Sequence, residues 1–165
     1  MLHGLIDKLD QKFAIGSVSA HCDVPCGIYD PATAQLSALT VIRLVDQLLE
    51  MEGAEDNLQT RNKYSRLIAQ KEEHAEAVKH EVRIIWGDYF KAPQFEKFPQ
   101  THELVHNIMM QGSKARQNVD RDASLELLNL VNQFADIFWQ TKGVATYQAK
   151  SPYLPNEMVV YPKLA

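Results

Sequence analysis

Cysteine is scarce in this chain: there are two in 165 residues, Cys22 and Cys26, and both fall in one short segment. Two neighbouring thiols close at most a small loop, so a disulfide-stapled scaffold is excluded. Their C-x3-C spacing also differs from the C-x2-C of redox and zinc motifs. Positive charge is not in excess. Lys and Arg number 17 against 21 Asp and Glu, a formal net charge of −4. With no basic stripe, a nucleic-acid partner is not expected. No apolar run approaches the ~20 residues that cross a bilayer, so no membrane partner is expected either. Internal repeats and low-complexity tracts are lacking as well. What is present is a chain that is 45% hydrophobic, long enough for one domain of ordinary size with its own core.

Apolar spacing points to helices. Asp30-Pro31 pairs an N-cap residue with proline at a first helical position. From there Leu36, Leu39, Val41, Leu44, Leu48 and Leu49 sustain an apolar face to about Met51, and Glu52-Gly53 ends it. A longer helix is predicted from about Asn57 to Trp86, with Tyr64, Leu67, Ile68, Ala75, Val78, Val82 and Ile85 buried and Gly87 as the stop. Residues 88–99 hold two prolines and four aromatics, Tyr89, Phe90, Phe95 and Phe98, and read as an ordered aromatic connection. Thr101-His102-Glu103 starts a third helix, in which Leu104, Val105, Ile108 and Met109 are apolar and which Gly112 closes. A fourth runs from about Ala123 to Lys142, with Leu127, Leu128, Val131, Phe134, Ile137 and Phe138 facing inward. Four amphipathic segments without a convincing strand predict an all-α fold, an antiparallel four-helix bundle over residues 32–142. The tail, residues 143–165, holds Pro152, Pro155 and Pro162 with Tyr147, Tyr153 and Tyr161. It is too proline-rich for a helix and too aromatic for a free linker, and is expected to pack in extended form on the bundle or on a neighbouring subunit.

At the other end, Leu2, Leu5, Ile6, Leu9 and Phe13 fall at helical spacing, which predicts a short amphipathic helix up to about Phe13. Asp7 and Asp10 interrupt any continuous apolar stretch. A secretory signal would have a basic start and ~7–15 uninterrupted apolar residues. The run Ser17-Val18-Ser19-Ala20 nevertheless ends like a cleavage site. Residues 1–20 therefore read as a removable pro-segment of a cytoplasmic protein, with export the alternative.

A cut after Ala20 makes His21 the new amino terminus. Residues 21–31 run His-Cys-Asp-Val-Pro-Cys-Gly-Ile-Tyr-Asp-Pro, and the first six then carry an α-amine, an imidazole, a backbone amide and two thiols. The amine of His21 and the sulfur of Cys22 flank an amide nitrogen, so adjacent chelate rings form if that amide deprotonates. Cys26 closes the plane from the other side of a turn that Pro25-Cys26-Gly27 is suited to make. Planar nitrogen–sulfur coordination suits Ni(II) or Cu(II), whereas zinc prefers a tetrahedron. The imidazole of His21 is then placed to approach axially. Thiolate and amidate donors stabilise Ni(III) and bring the couple between the two half-reactions of superoxide. A chance cluster, a disulfide and a zinc half-site are the other readings of these residues.

The segment 21–31 closely resembles the amino-terminal nickel hook of nickel-dependent superoxide dismutases. Residues 86–99, Trp-Gly-Asp-Tyr-Phe-Lys-Ala-Pro-Gln-Phe-Glu-Lys-Phe-Pro, look like that family's aromatic connection. Ile137-Phe138-Trp139-Gln140-Thr141-Lys142 looks like the end of its last helix. The resemblance covers about residues 21–142. It implies a helical bundle assembled as a homohexamer, one nickel ion per subunit, superoxide as substrate, and a propeptide that a maturation protease removes at Ala20–His21. The implied nickel ligands are His21 (amine and imidazole), Cys22 (amide nitrogen and sulfur) and Cys26 (sulfur). Asp23 would order the hook, and Tyr29 and Tyr89 match the two tyrosines that line the family's substrate approach. There are departures. Ser37 stands where the family carries a glutamate early in the first helix, His74 stands near the position of an arginine in the second, and the tail after Lys142 has no counterpart.

Two other signals compete. His102-Glu103-Leu104-Val105-His106 matches H-E-x-x-H, with Glu126 a conceivable third ligand for zinc. The chain is small for such a protease and the resemblance runs through this segment, so both histidines are expected at solvent or at an interface. A nickel or copper carrier without turnover is the alternative reading of the hook. Lys91 and Lys97 flank the aromatic connection, where positive charge would focus an anionic substrate.

Overall fold

The computed structural model describes residues 26–164. The chain is mostly helical. Four long helices, α1 (Ala32–Leu49), α2 (Leu58–Ile84), α4 (Thr101–Gln117) and α5 (Arg121–Thr141), are joined by turns and by a short helix α3 (Ala92–Lys97). Helix α1 packs against α2 and α5, and α4 packs against the same two. Between them lies one apolar cluster that includes Val41 and Ile42, Val78 and Val82, Ile108, Leu127, Val131, Phe134 and Phe138.

Local chemistry sets the helix starts. The Asp30 carboxylate accepts from the Ala32 amide at 2.8 Å, just ahead of α1. Asn57 caps α2 by accepting from the Thr60 amide at 3.0 Å, and Asp120 caps α5 by accepting from Ala123 at 2.9 Å. Each side-chain oxygen satisfies an amide that has no partner within its own helix.

Several expected boundaries and faces move. Gly112 does not end the third helix: α4 continues to Gln117, with Gly112 buried against α2. A Cβ added there would come within 2.9 Å of Lys79 Cγ, so this glycine allows the two helices to approach. Gly87 does not stop the second helix cleanly either. Beyond α2 the chain widens into a π-helical turn, Ile85–Tyr89, closed by the Phe90 amide donating to the Ile85 carbonyl at 3.3 Å. Along α2 nothing from Leu58 to Gln70 is buried, so Tyr64, Leu67 and Ile68 lie outside the core, unlike Ala75, Val78, Val82 and Ile85. Leu36 and Leu49, placed on the apolar face of α1, are 49% and 43% exposed.

The tail corrects the all-α expectation. Strands β1 (Thr146–Lys150) and β2 (Met158–Pro162) form an antiparallel hairpin, with Thr146 opposite Pro162 and Lys150 opposite Met158. β2 carries Val159 and Val160, both buried, against α5. The outer edge of β2 is met by side chains. Asn132 of α5 donates to the Met158 carbonyl at 2.9 Å and accepts from the Val160 amide at 3.1 Å. Gln35 of α1 donates to the Val160 carbonyl at 2.8 Å. Arg121 adds a second tie, reaching Asp46 of α1 and Glu157 of the hairpin loop, each at 2.7 Å. Sequence pattern did not disclose these strands because each is five residues long and the partners that satisfy β2 come from helices distant in sequence.

One buried charge joins α2 to α4. Lys71 is 2% exposed. Its ammonium donates to the carbonyls of Ala115 and Asn118, each at 3.0 Å, and to that of Arg116. All three donors are used on carbonyls at the end of α4, where a positive charge also suits the helix dipole. Burial pulls its pKa below the usual lysine value, while Glu72 acts in the opposite direction.

Deletion of residues 143–165 strips the cover from Gln35 and removes two buried valines. It should lower stability by about 3 kcal/mol, read as a melting midpoint lower by roughly 6–12 °C. Lys71→Met leaves buried carbonyls without a donor and should destabilise by about 2 kcal/mol in urea unfolding, with an unchanged denaturant slope.

Candidate metal centre

Of the expected hook residues, Ala20, His21, Cys22 and Asp23 lie outside the described residues. Cys26 is the first described residue and is exposed. Gly27 follows at φ +70°, a left-handed conformation that glycine adopts without strain, and it turns the chain after the thiol. Ile28 is 77% exposed and Tyr29 is half-buried. The Tyr29 ring lies 5.8 Å from that of Tyr89, tilted by 50°. The segment that ends the hook thus rests on the aromatic connection 60 residues further along, and the two tyrosines singled out in the sequence are neighbours.

Tyr89 reaches this place through the π-helical turn. The extra residue in that turn puts Phe90 into the core, 2% exposed, and leaves Tyr89 half-buried at the surface. Its ring centroid is 4.9 Å from Phe138 and 5.3 Å from Phe90. Its hydroxyl lies 2.6 Å from Thr141 Oγ1. The ammonium of Lys142 sits over its face, 4.6 Å from the centroid, a cation–π arrangement. Thr141 and Lys142 are site neighbours that sequence reasoning did not pick out individually. They stood within the stretch 137–142, and no spacing in the chain relates them to residue 89.

The donor set can be tested against a soft metal. Among the described residues no group of three or more His, Cys, Asp or Glu side chains gathers in a way that could hold an ion. The described helices do not offer a rival site, and the exposed Cys26 stands three residues before Tyr29. A thiolate there fits nickel or copper and not a hard cation.

The nickel-containing superoxide dismutase family model matches residues 16–142, hook and helices together. The superoxide dismutase [Ni] of Streptomyces coelicolor is 41% identical over 127 residues, spanning 76% of this chain and 91% of that protein. That of Streptomyces seoulensis is 38% identical over 125 residues, with 76% and 90% covered. A solved native structure of nickel superoxide dismutase superposes with a TM-score of 0.64 at 38% identity, covering 74% of this chain and 99% of that one.

The chain belongs to the nickel-containing superoxide dismutases.

Family membership sorts the remaining candidates. The match ends at residue 142, four residues before β1, so the hairpin is an addition to the part shared with nickel superoxide dismutases. The H-E-x-x-H pattern lies inside the match but builds no zinc site. His102 is stacked on Phe95, with centroids 4.1 Å apart, and its Nδ1 accepts from Trp86 Nε1 at 3.1 Å. His106 and Glu126 are exposed. At the family's departures, Ser37 is buried on α1. His74 directs Nδ1 to the carbonyl of Gln70 on its own helix, 2.8 Å away. Lys91 Nζ donates to the Gly87 carbonyl at 3.2 Å and Lys97 lies over the Phe98 ring at 5.3 Å, so both lysines are engaged next to the aromatic connection.

His106→Ala should leave the nickel content and superoxide turnover of processed protein within about twofold of the parent, as expected for an exposed side chain. Zinc-dependent proteolysis that this substitution abolished would restore the reading of H-E-x-x-H as a zinc-protease site.

Proposed function

We propose that this chain is the precursor of a superoxide dismutase, made competent by a cut between Ala20 and His21. The mature enzyme disproportionates superoxide to dioxygen and hydrogen peroxide. One observation carries the reading: a family match that spans hook and helices, in a molecule where Tyr29, three residues after Cys26, meets Tyr89 at 5.8 Å. His21 would hold nickel through its amine and imidazole, Cys22 through its amide nitrogen and sulfur, and Cys26 through its sulfur. When bound, nickel supplies one-electron cycling between Ni(II) and Ni(III), by which one superoxide is oxidised and a second, with two protons, is reduced.

The protein's own residues prepare that chemistry. Both thiols bind deprotonated, which makes metal uptake pH-dependent. Asp23 would order the hook, as the family resemblance implies. Tyr29 and Tyr89 narrow the approach to the hook to small species. Lys142, fixed over Tyr89, together with Lys91 and Lys97, biases that approach toward an anion in a protein of net negative charge. The remaining parts of the reading are an antiparallel four-helix bundle over residues 32–142, assembly as a homohexamer, cleavage by a maturation protease, and a cytoplasmic location. A nickel or copper carrier is the second reading, because a hook alone is sufficient for binding.

Superoxide consumption separates the two readings. Protein beginning at His21 and loaded with nickel should carry one ion per subunit and consume superoxide catalytically, whereas the uncut chain should not. Cys26→Ser should abolish both nickel retention and turnover. Stoichiometric nickel without turnover would identify a carrier. Lys91→Gln combined with Lys97→Gln should lower the rate several-fold at low ionic strength and flatten its salt dependence.

A further inference from the structure

The hydroxyl of Tyr89 and that of Thr141 are 2.6 Å apart, a distance that by itself leaves the donor open. A second contact decides it. Thr141 Oγ1 is also 2.6 Å from the carbonyl oxygen of Phe138. A carbonyl only accepts, and a threonine hydroxyl has one proton. The Phe138 carbonyl stands in the last turn of α5, where helix carbonyls lack their usual partner. The amide of Lys142, which would have served it, donates to the Trp139 carbonyl at 3.0 Å instead. Thr141 therefore gives its proton to Phe138 and accepts from Tyr89.

We propose that Thr141 is a positioning residue that commits the Tyr89 proton to the end of α5, so that Tyr89 offers only lone pairs to whatever enters beside Tyr29. The ring cannot swing freely to escape this arrangement. Phe138, Phe90 and Tyr29 surround it at 4.9, 5.3 and 5.8 Å, and Lys142 lies over its face. A phenol whose proton is committed accepts from water or from the O–H groups of departing hydrogen peroxide. It does not donate to the oxygen of superoxide. The protons that complete peroxide then come from a donor other than Tyr89, and this tyrosine acts in orienting water and product. This inference rests on the reading of Tyr89 as part of the substrate approach.

Thr141→Val removes the acceptor at nearly constant volume, and Thr141→Ser keeps it. Two readouts are taken. In nickel-free protein, the tyrosine Fermi doublet in ultraviolet resonance Raman spectra, isolated by subtracting Tyr89→Phe, reports whether the phenol donates. It should show a donating phenol in the parent and in Thr141→Ser, and lose that signature in Thr141→Val. In processed, nickel-loaded protein, Thr141→Val should slow superoxide turnover at least ~3-fold, with Thr141→Ser restoring it. In the Tyr89→Phe background, Thr141→Val should slow it no further. An unchanged doublet, or an equal loss with and without the Tyr89 hydroxyl, overturns the positioning role alone. Turnover untouched by Tyr89→Phe overturns the substrate-side role of Tyr89, and this inference with it.

Discussion

Tyr29, near the end of the hook, meets the ring of Tyr89, and that ring is held by groups from two directions of the chain. From one side the π-helical turn delivers it, by inserting a residue that a regular helix would not contain. From the other, the end of α5 supplies Phe138, Thr141 and Lys142 as packing surface, hydrogen-bond partner and charge. A short segment such as residues 26–29, exposed up to Tyr29, has no core of its own. Its contact with Tyr89 is backed by the helices that hold that ring.

Those helices are stabilised by ordinary means, with two additions. The apolar cluster between α1, α2, α4 and α5 supplies the bulk of the burial. Lys71 then ties α2 to the end of α4 by spending its three donors on carbonyls, which leaves the buried charge satisfied. The hairpin adds a layer against α1 and α5 that the matched part of the family does not include. Its free edge is capped by Asn132 and Gln35 in place of another strand, which removes the hazard of an open edge on that side.

Helices were legible because their determinants are local. Asp30 and Asn57 stand at the starts expected for their helices, whereas the last helix, expected from about Ala123, begins at Arg121 behind the Asp120 cap; the 3.6-residue apolar period marks the core faces of α1, α4 and α5. The errors share one cause. Gly112 and Gly87 look like stops in isolation, yet one serves a close helix–helix approach and the other sits within a π-helical turn. The apolar residues early in α2 follow the helical period but have no neighbour to bury them. The hairpin strands are short, and the groups that select them are Asn132, Gln35 and Arg121, far away in the chain.

By itself the sequence placed soft donors together, since two thiols and an imidazole within six residues are a property of order along the chain. It also determined the helix-forming segments and, through three separated motifs, the family. Only the tertiary structure decided that Tyr29 meets Tyr89, that Thr141 and Lys142 complete that site, and that the tail is a hairpin. Each of these depends on which elements come to lie side by side, and side-chain spacing along one element carries no record of its neighbours.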